Sequence, residues 1–279
     1  PCWPVWNQRV IRVGEGVEGK KLTPFLSKEL INIPVSAEKA FFSTFFLKTL
    51  KTGQVKADGF EVQTLVPERS ARLSMEIDWL GRPVLILWFH YDERRIMRGK
   101  KQQVFTEMKE KNGQYTFFRW ERDLVWESQI YQKILDSGLV PDNENILLLP
   151  GNTGIQTVDT YRIVEWINVN RGRLDEIPVI IRQEGLHFHL GTILKRISTD
   201  RGMDWFDIYG VVVFGEMEIP FYQIKDYILD GIREFPLPDG TKAILPEEWF
   251  IRYYDLFALG TGDGTKIRLQ KRHYKLVDL

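Results

Sequence analysis

The chain has 279 residues, 43% of them hydrophobic and 13% aromatic, enough apolar mass at this length to bury a core without disulfide or metal staples. Its 38 Lys and Arg balance 38 Asp and Glu, which excludes the broad basic excess by which a dedicated DNA-binding domain recruits phosphates. The single cysteine, Cys2, excludes an internal disulfide and any multi-cysteine zinc site.

The longest apolar runs, Val84 to Phe89 and Val211 to Phe214, are far shorter than the roughly 20 residues that span a bilayer. No signal-peptide pattern precedes Pro1, so the expectation is a cytoplasmic protein with no membrane partner. The chain opens Pro-Cys-Trp-Pro rather than on Met, which is expected of a segment cut from a longer polypeptide.

In chain order, Thr23-Pro24 reads as an N-cap followed by proline at the first helical position. A second helix is predicted from Ser36 to about Lys51, with Ala40, Phe41, Phe45 and Phe46 on its apolar face and Gly53 beyond its end. Over 71–79, Ala71, Leu73, Met75, Ile77 and Trp79 alternate with Arg72, Ser74, Glu76 and Asp78, the pattern of a half-buried strand. Leu80-Gly81-Arg82 turns it into Val84–Phe89, apolar on both faces and so expected at the centre of a sheet. A strand near Gln103–Lys109 returns through Asn112-Gly113 into Tyr115–Trp120; Asn-Gly supplies the two positive φ angles of a type I′ hairpin.

A helix from about Glu121 to Ser137 closes at Gly138. Stretches rich in Asn, Asp and Gly at 141–145 and 151–154 flank Ile146–Leu149, and a domain boundary is placed there, giving subdomains 1–150 and 151–279. Val158, Tyr161 and Val164 mark a further helix, Ile177–Ile181 a strand, and Trp205–Phe214 a strand ending at Gly215. Phe221, Ile224 and Ile228 mark a helix closed by Gly231, Asp239-Gly240 a hairpin turn, and Leu245-Pro246-Glu247-Glu248 the start of a helix with acids in its first turn. Ile267 and Leu269 alternate with Lys266 and Arg268 in a last strand. Hairpins interleave with single helices, so the fold class is α+β with antiparallel sheets and two subdomains.

The candidate sites are few. Gly260-Thr261-Gly262-Asp263-Gly264-Thr265-Lys266 has the glycines of a phosphate loop, but Thr stands before Lys and a strand follows, so it reads as a hairpin turn. His187 and His189 are two apart, which suits two imidazole ligands of a metal-dependent hydrolase, yet no third ligand motif accompanies them. Asp204, Asp207, Glu216 and Glu218 read as a solvated strand edge rather than an acid/base pair. Arg94, Arg95, Arg98, Lys100 and Lys101 lie where a strand gives way to a loop and form the candidate nucleic-acid contact. Lys266, Arg268, Lys271, Arg272 and Lys275 make a second basic run.

The stretch 202–259 carries a recognisable pattern. Gly202-Met203-Asp204-Trp205-Phe206-Asp207-Ile208 is followed by Gly215, Ile219-Pro220, Leu237-Pro238-Asp239-Gly240-Thr241 and Ile244-Leu245-Pro246-Glu247-Glu248-Trp249-Phe250. It resembles the region immediately before the motor in bacterial helicase-like ATPases of the Swi/Snf type (the SNF-two family). That region reads DWFD, a strand and a glycine, a short helix, L-x-DGS, then LPEEW; Thr241 stands where the family has Ser. Phe89-His90-Tyr91, and Arg122-Asp123 with Glu127, Leu135 and Gly138, resemble earlier parts of the family more loosely.

The resemblance implies a non-catalytic accessory or regulatory region of a bacterial DNA translocase, with the motor next to it in cis and double-stranded DNA or a DNA-bound protein as a further partner. ATP and Mg would belong to the motor, and no cofactor or catalytic residue is expected in this segment. The readings from other classes are a nucleic-acid-binding module using residues 94–101 and a metal-dependent hydrolase using His187 and His189.

Overall fold

The computed structural model describes residues 5–6, 9–10, 32–52, 60–202, 204–262 and 264–277. Cys2, the helix start expected at Thr23-Pro24, Gly53 and Asp263 lie outside the described residues. The chain divides into two units. One takes in the described residues of Pro1–Arg69, Tyr91–Glu93 and Lys100–Leu124; the other takes in those of Ser70–His90, Arg94–Gly99 and Val125–Leu279.

The first unit begins with a short antiparallel pair, β1 (Val5–Trp6) and β2 (Arg9–Val10). The helix expected from Ser36 is continuous but not uniform: α1 (Val35–Phe41) passes through a π-helical turn, Phe42–Phe46, into α2 (Leu47–Thr52). At the π turn, the hydroxyls of Ser43 and Thr44 donate to the Ala40 carbonyl at 3.2 and 2.6 Å. The extra residue rotates the buried face: Phe42, Phe46 and Leu50 go inward, while Phe45 is 43% exposed. β3 (Glu61–Thr64) follows.

β4 (Arg69–Ile77) and β5 (Pro83–Tyr91) form the expected hairpin, and β6 (Arg94–Met97) folds back on β5. Asp78 holds the β4–β5 turn: its Oδ1 accepts from Leu80 and Arg82 N–H at 2.9 and 2.8 Å, and Gly81 takes φ 78°. Trp79 falls in this turn and is 89% exposed, so the alternation that buries Ala71, Leu73 and Met75 stops before it.

β7 (Val104–Lys111) and β8 (Gln114–Glu121) make the Asn-Gly hairpin, with φ 53° at Asn112 and 77° at Gly113. β3 adds to β8 in parallel, giving a three-stranded sheet in the order β3-β8-β7. Phe117 meets Phe42, Phe46 and Leu50 in the core of this unit. A second aromatic column stacks Tyr91, Trp120 and Phe105, with centroids 5.2 and 4.3 Å apart.

α3 (Leu124–Asp136), β9 (Val140–Pro141), β10 (Ile146–Leu148), α4 (Gln156–Val169), α5 (Arg171–Asp175) and β11 (Val179–Gln183) build the first half of the second unit. Its sheet runs β11-β4-β5-β10-β9, with β6 also on β5. Val84–Phe89 is therefore central, as its two-sided apolarity requires. β11 pairs with β4 in parallel, Ile181 beside Leu73. That pairing ties residues 179–183 to residues 71–75, and the division of the chain does not fall at 150.

The remaining elements are β12 (Ile193–Arg201), β13 (Trp205–Phe214), β14 (Met217–Pro220), a 3-10 turn (Phe221–Ile224), α6 (Lys225–Asp230), β15 (Glu234–Pro236), β16 (Lys242–Ile244), α7 (Glu247–Leu259), β17 (Thr261–Gly262) and β18 (Lys266–Gln270). The antiparallel sheet β12-β13-β18-β17, with β14 on β13, packs with α6 and α7 over one core that includes Phe214, Phe221, Trp249, Tyr253 and Phe257. The architecture is α+β and mostly antiparallel, with parallel pairing of β11 to β4 and of β3 to β8. No described helix is long and apolar enough to cross a membrane.

Candidate functional site

Arg94 and Arg95 lie on the strand β6 (Arg94–Met97), and Arg98, Lys100 and Lys101 lie in the turn and loop that follow it, as the sequence places them. Arg94 and Arg95 open β6, and Ile96 is buried beside them. The Arg95 guanidinium lies 3.9 Å from the Trp88 ring centre, and that of Arg98 lies 3.9 Å from the Tyr131 ring centre on α3. Such stacking anchors a guanidinium while keeping its charge, at about 0.5–1 kcal/mol for exposed sites. Lys100 and Lys101 are exposed and belong to the other unit, where Lys100 sits 5.9 Å from the Phe105 ring centre. The structure places Arg94, Arg95 and Arg98 in one unit and Lys100 and Lys101 in the other.

Arg95 also reaches a polar face that the sequence did not single out. The period of a strand puts Arg72, Ser74 and Glu76 of β4 on one side and the fully buried Ala71, Leu73 and Met75 on the other. On β5, Trp88 and His90 alternate in the same way with the buried Leu85, Leu87 and Phe89. The turn bond from Asp78 N–H to the Arg82 carbonyl sets the register, and counting back from it Arg72 stands across from Trp88.

Arg72 Nε, Ser74 Oγ, Trp88 Nε1 and His90 Nε2 are buried without hydrogen-bond partners, four of the six such side-chain atoms among the described residues. Burial raises the Glu76 pKa; Glu184 adds to the rise, while Arg95 and the Trp88 indole, short of a hydrogen bond, oppose it. Burial also lowers the His90 pKa, assisted by Arg72 and Arg95. Orphaned polar atoms cost most where water is excluded. The sequence signal was present in the alternate positions of β4, which read there simply as a solvent face.

The carboxylates at 204–218 correct another expectation. β13 is an interior strand between β12 and β18, and Asp207 on it is only 8% exposed. Its carboxylate accepts from Arg268 Nε and Nη2 at 2.8 and 3.0 Å and from Lys266 Nζ at 3.0 Å. The Arg268 hydrogen bonds first, opposed by burial and helped by Lys266, hold the Asp207 carboxyl down at about 2. A group ionised so far below neutrality is a fixed counter-ion, not a proton shuttle. Asp204 and Glu216 are exposed, and Glu218 pairs with Arg196 at 3.1 Å.

His187 and His189 flank the bridge between Phe188 and Lys242: the His187 carbonyl accepts from Lys242 N–H, and His189 N–H donates to the Lys242 carbonyl, both at 2.9 Å. His187 is exposed, whereas the His189 ring packs edge-on against Phe214 with Nε2 buried and unpartnered. Burial lowers its pKa, against the opposing pull of Asp239. Among the described residues, no group of three or more His, Cys, Asp and Glu is placed to hold a metal ion.

The glycine-rich stretch forms a hairpin, Thr261 pairing with Arg268 and Gly262 with Ile267, as its sequence predicts. The 202–259 pattern spans β13, the Gly215 turn at φ 62°, β14, α6, the β15–β16 hairpin and α7. Phe206 and Trp249 are buried within it, and Phe250 packs at the margin of the core.

Fold and sites together define a mixed α+β protein whose polar centres are ion pairs and cation–aromatic stacks set on sheet faces. Comparison with protein-family models, with curated proteins and with solved structures finds no match to this chain.

Proposed function

We propose that this chain is a non-catalytic accessory module of a bacterial Swi/Snf-type DNA-dependent ATPase, acting on the adjacent motor in cis. One observation carries the reading. The residues that resemble the family's pre-motor region form one consecutive block, β13 to α7, and its buried side chains make up most of a single core. Their role is then to build a rigid body, with Phe206, Leu245 and Trp249 as scaffold. Asp207, the last acid of the DWFD segment, fastens β13 to β18 through Arg268. ATP and Mg belong, on this reading, to the motor.

The test joins this chain to a Swi/Snf-type motor and compares DNA-stimulated ATP hydrolysis with that of the motor alone. The expected result is a several-fold change in the stimulated rate when the chain is present, and no DNA-stimulated hydrolysis by the chain by itself. A motor-like rate from the isolated chain, or a motor indifferent to its presence, would overturn the proposal.

A further inference from the structure

Where β13 begins and β18 ends, an open cavity of about 470 Å³ has Trp205, Arg268, Lys271 and Arg272 in its lining, a volume within the ordinary range for small-ligand sites. Trp205 is the first residue of β13, stands across from Gln270 in register and keeps 38% of its surface exposed. Its indole rests on Gly202, where an added Cβ would come within 2.8 Å of Nε1, so the glycine leaves room for the ring. The Arg268 guanidinium lies 4.8 Å from the ring centre and is fixed there by its bonds to Asp207.

Lys271 N–H donates to the Asp204 carbonyl at 3.1 Å, which ties the segment after β18 to the segment before β13. Lys271 and Arg272 are exposed and pair with no carboxylate among the described residues; the Arg272 side chain donates to His273 Nε2 at 3.0 Å. The site thus holds a partly exposed indole, a guanidinium locked against it, and two rim cations that pair with no carboxylate among the described residues. Stacking on an aromatic ring beside a cationic track is how unpaired nucleotides are held irrespective of sequence. A duplex keeps its base faces stacked away from such a ring. An acidic peptide would use the cations and leave the indole idle.

We propose that this cavity binds single-stranded nucleic acid, with a base stacked on Trp205 and the flanking phosphates on Lys271 and Arg272. The Asp204 carboxylate on the same rim repels phosphate, so the backbone runs along the Lys271–Arg272 side. The proposal goes beyond the accessory-module reading and needs no motor for its test.

Fluorescence anisotropy of a labelled oligothymidylate of about 15 nucleotides, titrated with the whole chain, measures the binding. An oligouridylate, a duplex of equal length and a polyglutamate peptide compete, and the ribo- and deoxy-oligomers tell RNA from DNA as the source of the bases. Trp205→Ala is expected to weaken binding by about 5- to 100-fold and Trp205→Phe by less. Lys271→Gln and Arg272→Gln, on exposed positions that leave the fold alone, are each expected to lower the slope of log affinity against log salt by about 0.7.

The proposal is overturned if none of these four variants alters binding, if duplex or polyglutamate competes as well as the oligomers, or if binding disappears only on replacing Arg94, Arg95 and Arg98. Absence of oligonucleotide binding overturns it too, and leaves the motor-coupling result to be judged separately.

Discussion

Asp207 on β13 and Arg268 on β18 are direct cross-strand partners, and the carboxylate receives the guanidinium through two hydrogen bonds of 2.8 and 3.0 Å. Paired N–H donors on one carboxylate fix an angle as well as a distance. The pair therefore sets the register of two strands and, through the same guanidinium, the position of Arg268 over Trp205.

Asp207→Asn removes the charge that both Arg268 and Lys266 face, and a destabilisation of about 1.5–3 kcal/mol is expected, read from urea unfolding near neutral pH. The folded carboxyl titrates at about 2 against an ordinary 3.8, so the folded state binds fewer protons than the unfolded chain between those values. Its contribution is complete above 3.8 and is lost as pH falls towards 2. The variant should lack that part of the acid sensitivity; an unchanged acid profile would count against the pairing.

His90 and His189 are both pushed below the ordinary 6.5, in each case first by burial. The unfolded chain takes up these protons earlier than the folded one as the solution is acidified. Stability from the two rings is thus full above 6.5 and declines below it, each contributing a slope of at most about 1.4 kcal/mol per pH unit. Denaturant midpoints measured from pH 7.5 down to 5 should show a shallower decline in His90→Gln and in His189→Gln, and the shallowest in the double variant.

Gly210→Ala adds a Cβ that would sit 2.7 Å from the Phe221 Cβ and 3.1 Å from its Cγ. Phe221 is 1% exposed and fixed by edge contacts with Tyr253, so it has little room to yield. Overpacking of this kind costs about 1–3 kcal/mol. A drop in melting temperature is expected, and a melt matching the parent would count against close packing of Gly210 on Phe221.

Trp79→Ser, in contrast, should change stability by less than about 0.5 kcal/mol, because the ring is 89% exposed in the turn after β4. The strict alternation of residues 71–79 would have placed that ring on the face that Met75 buries. A large destabilisation would restore that placement.

How far the chain reads from its sequence depends on the range of the forces involved. The β7–β8 hairpin, the end of α6 at Gly231 with φ 70°, and the buried Ile267 and Leu269 of β18 follow from backbone sterics and side-chain period within a few residues. Long-range pairing is not written that way. β12 has alternate half-buried and exposed positions with lysine and arginine among the isoleucines, so no apolar period announced it; it becomes a strand because β13 offers it an unpaired edge over nine residues.

The sites divide along the same line. The sequence marks Asp207, the histidines and the basic residues at 94–101 as candidates, because residue type is local information. Whether each is solvated or buried, alone or opposed, was decided by which strands came to lie side by side. β13 entered the interior of its sheet and took Asp207 with it, and the pairing of β4 with β5 gathered Arg72, Ser74, Trp88 and His90 on one face. The order of residues along the chain sets the turns, helices and strands. The free energy of burying apolar side chains and pairing strand edges, which depends on contacts between segments remote in sequence, sets what surrounds each polar group.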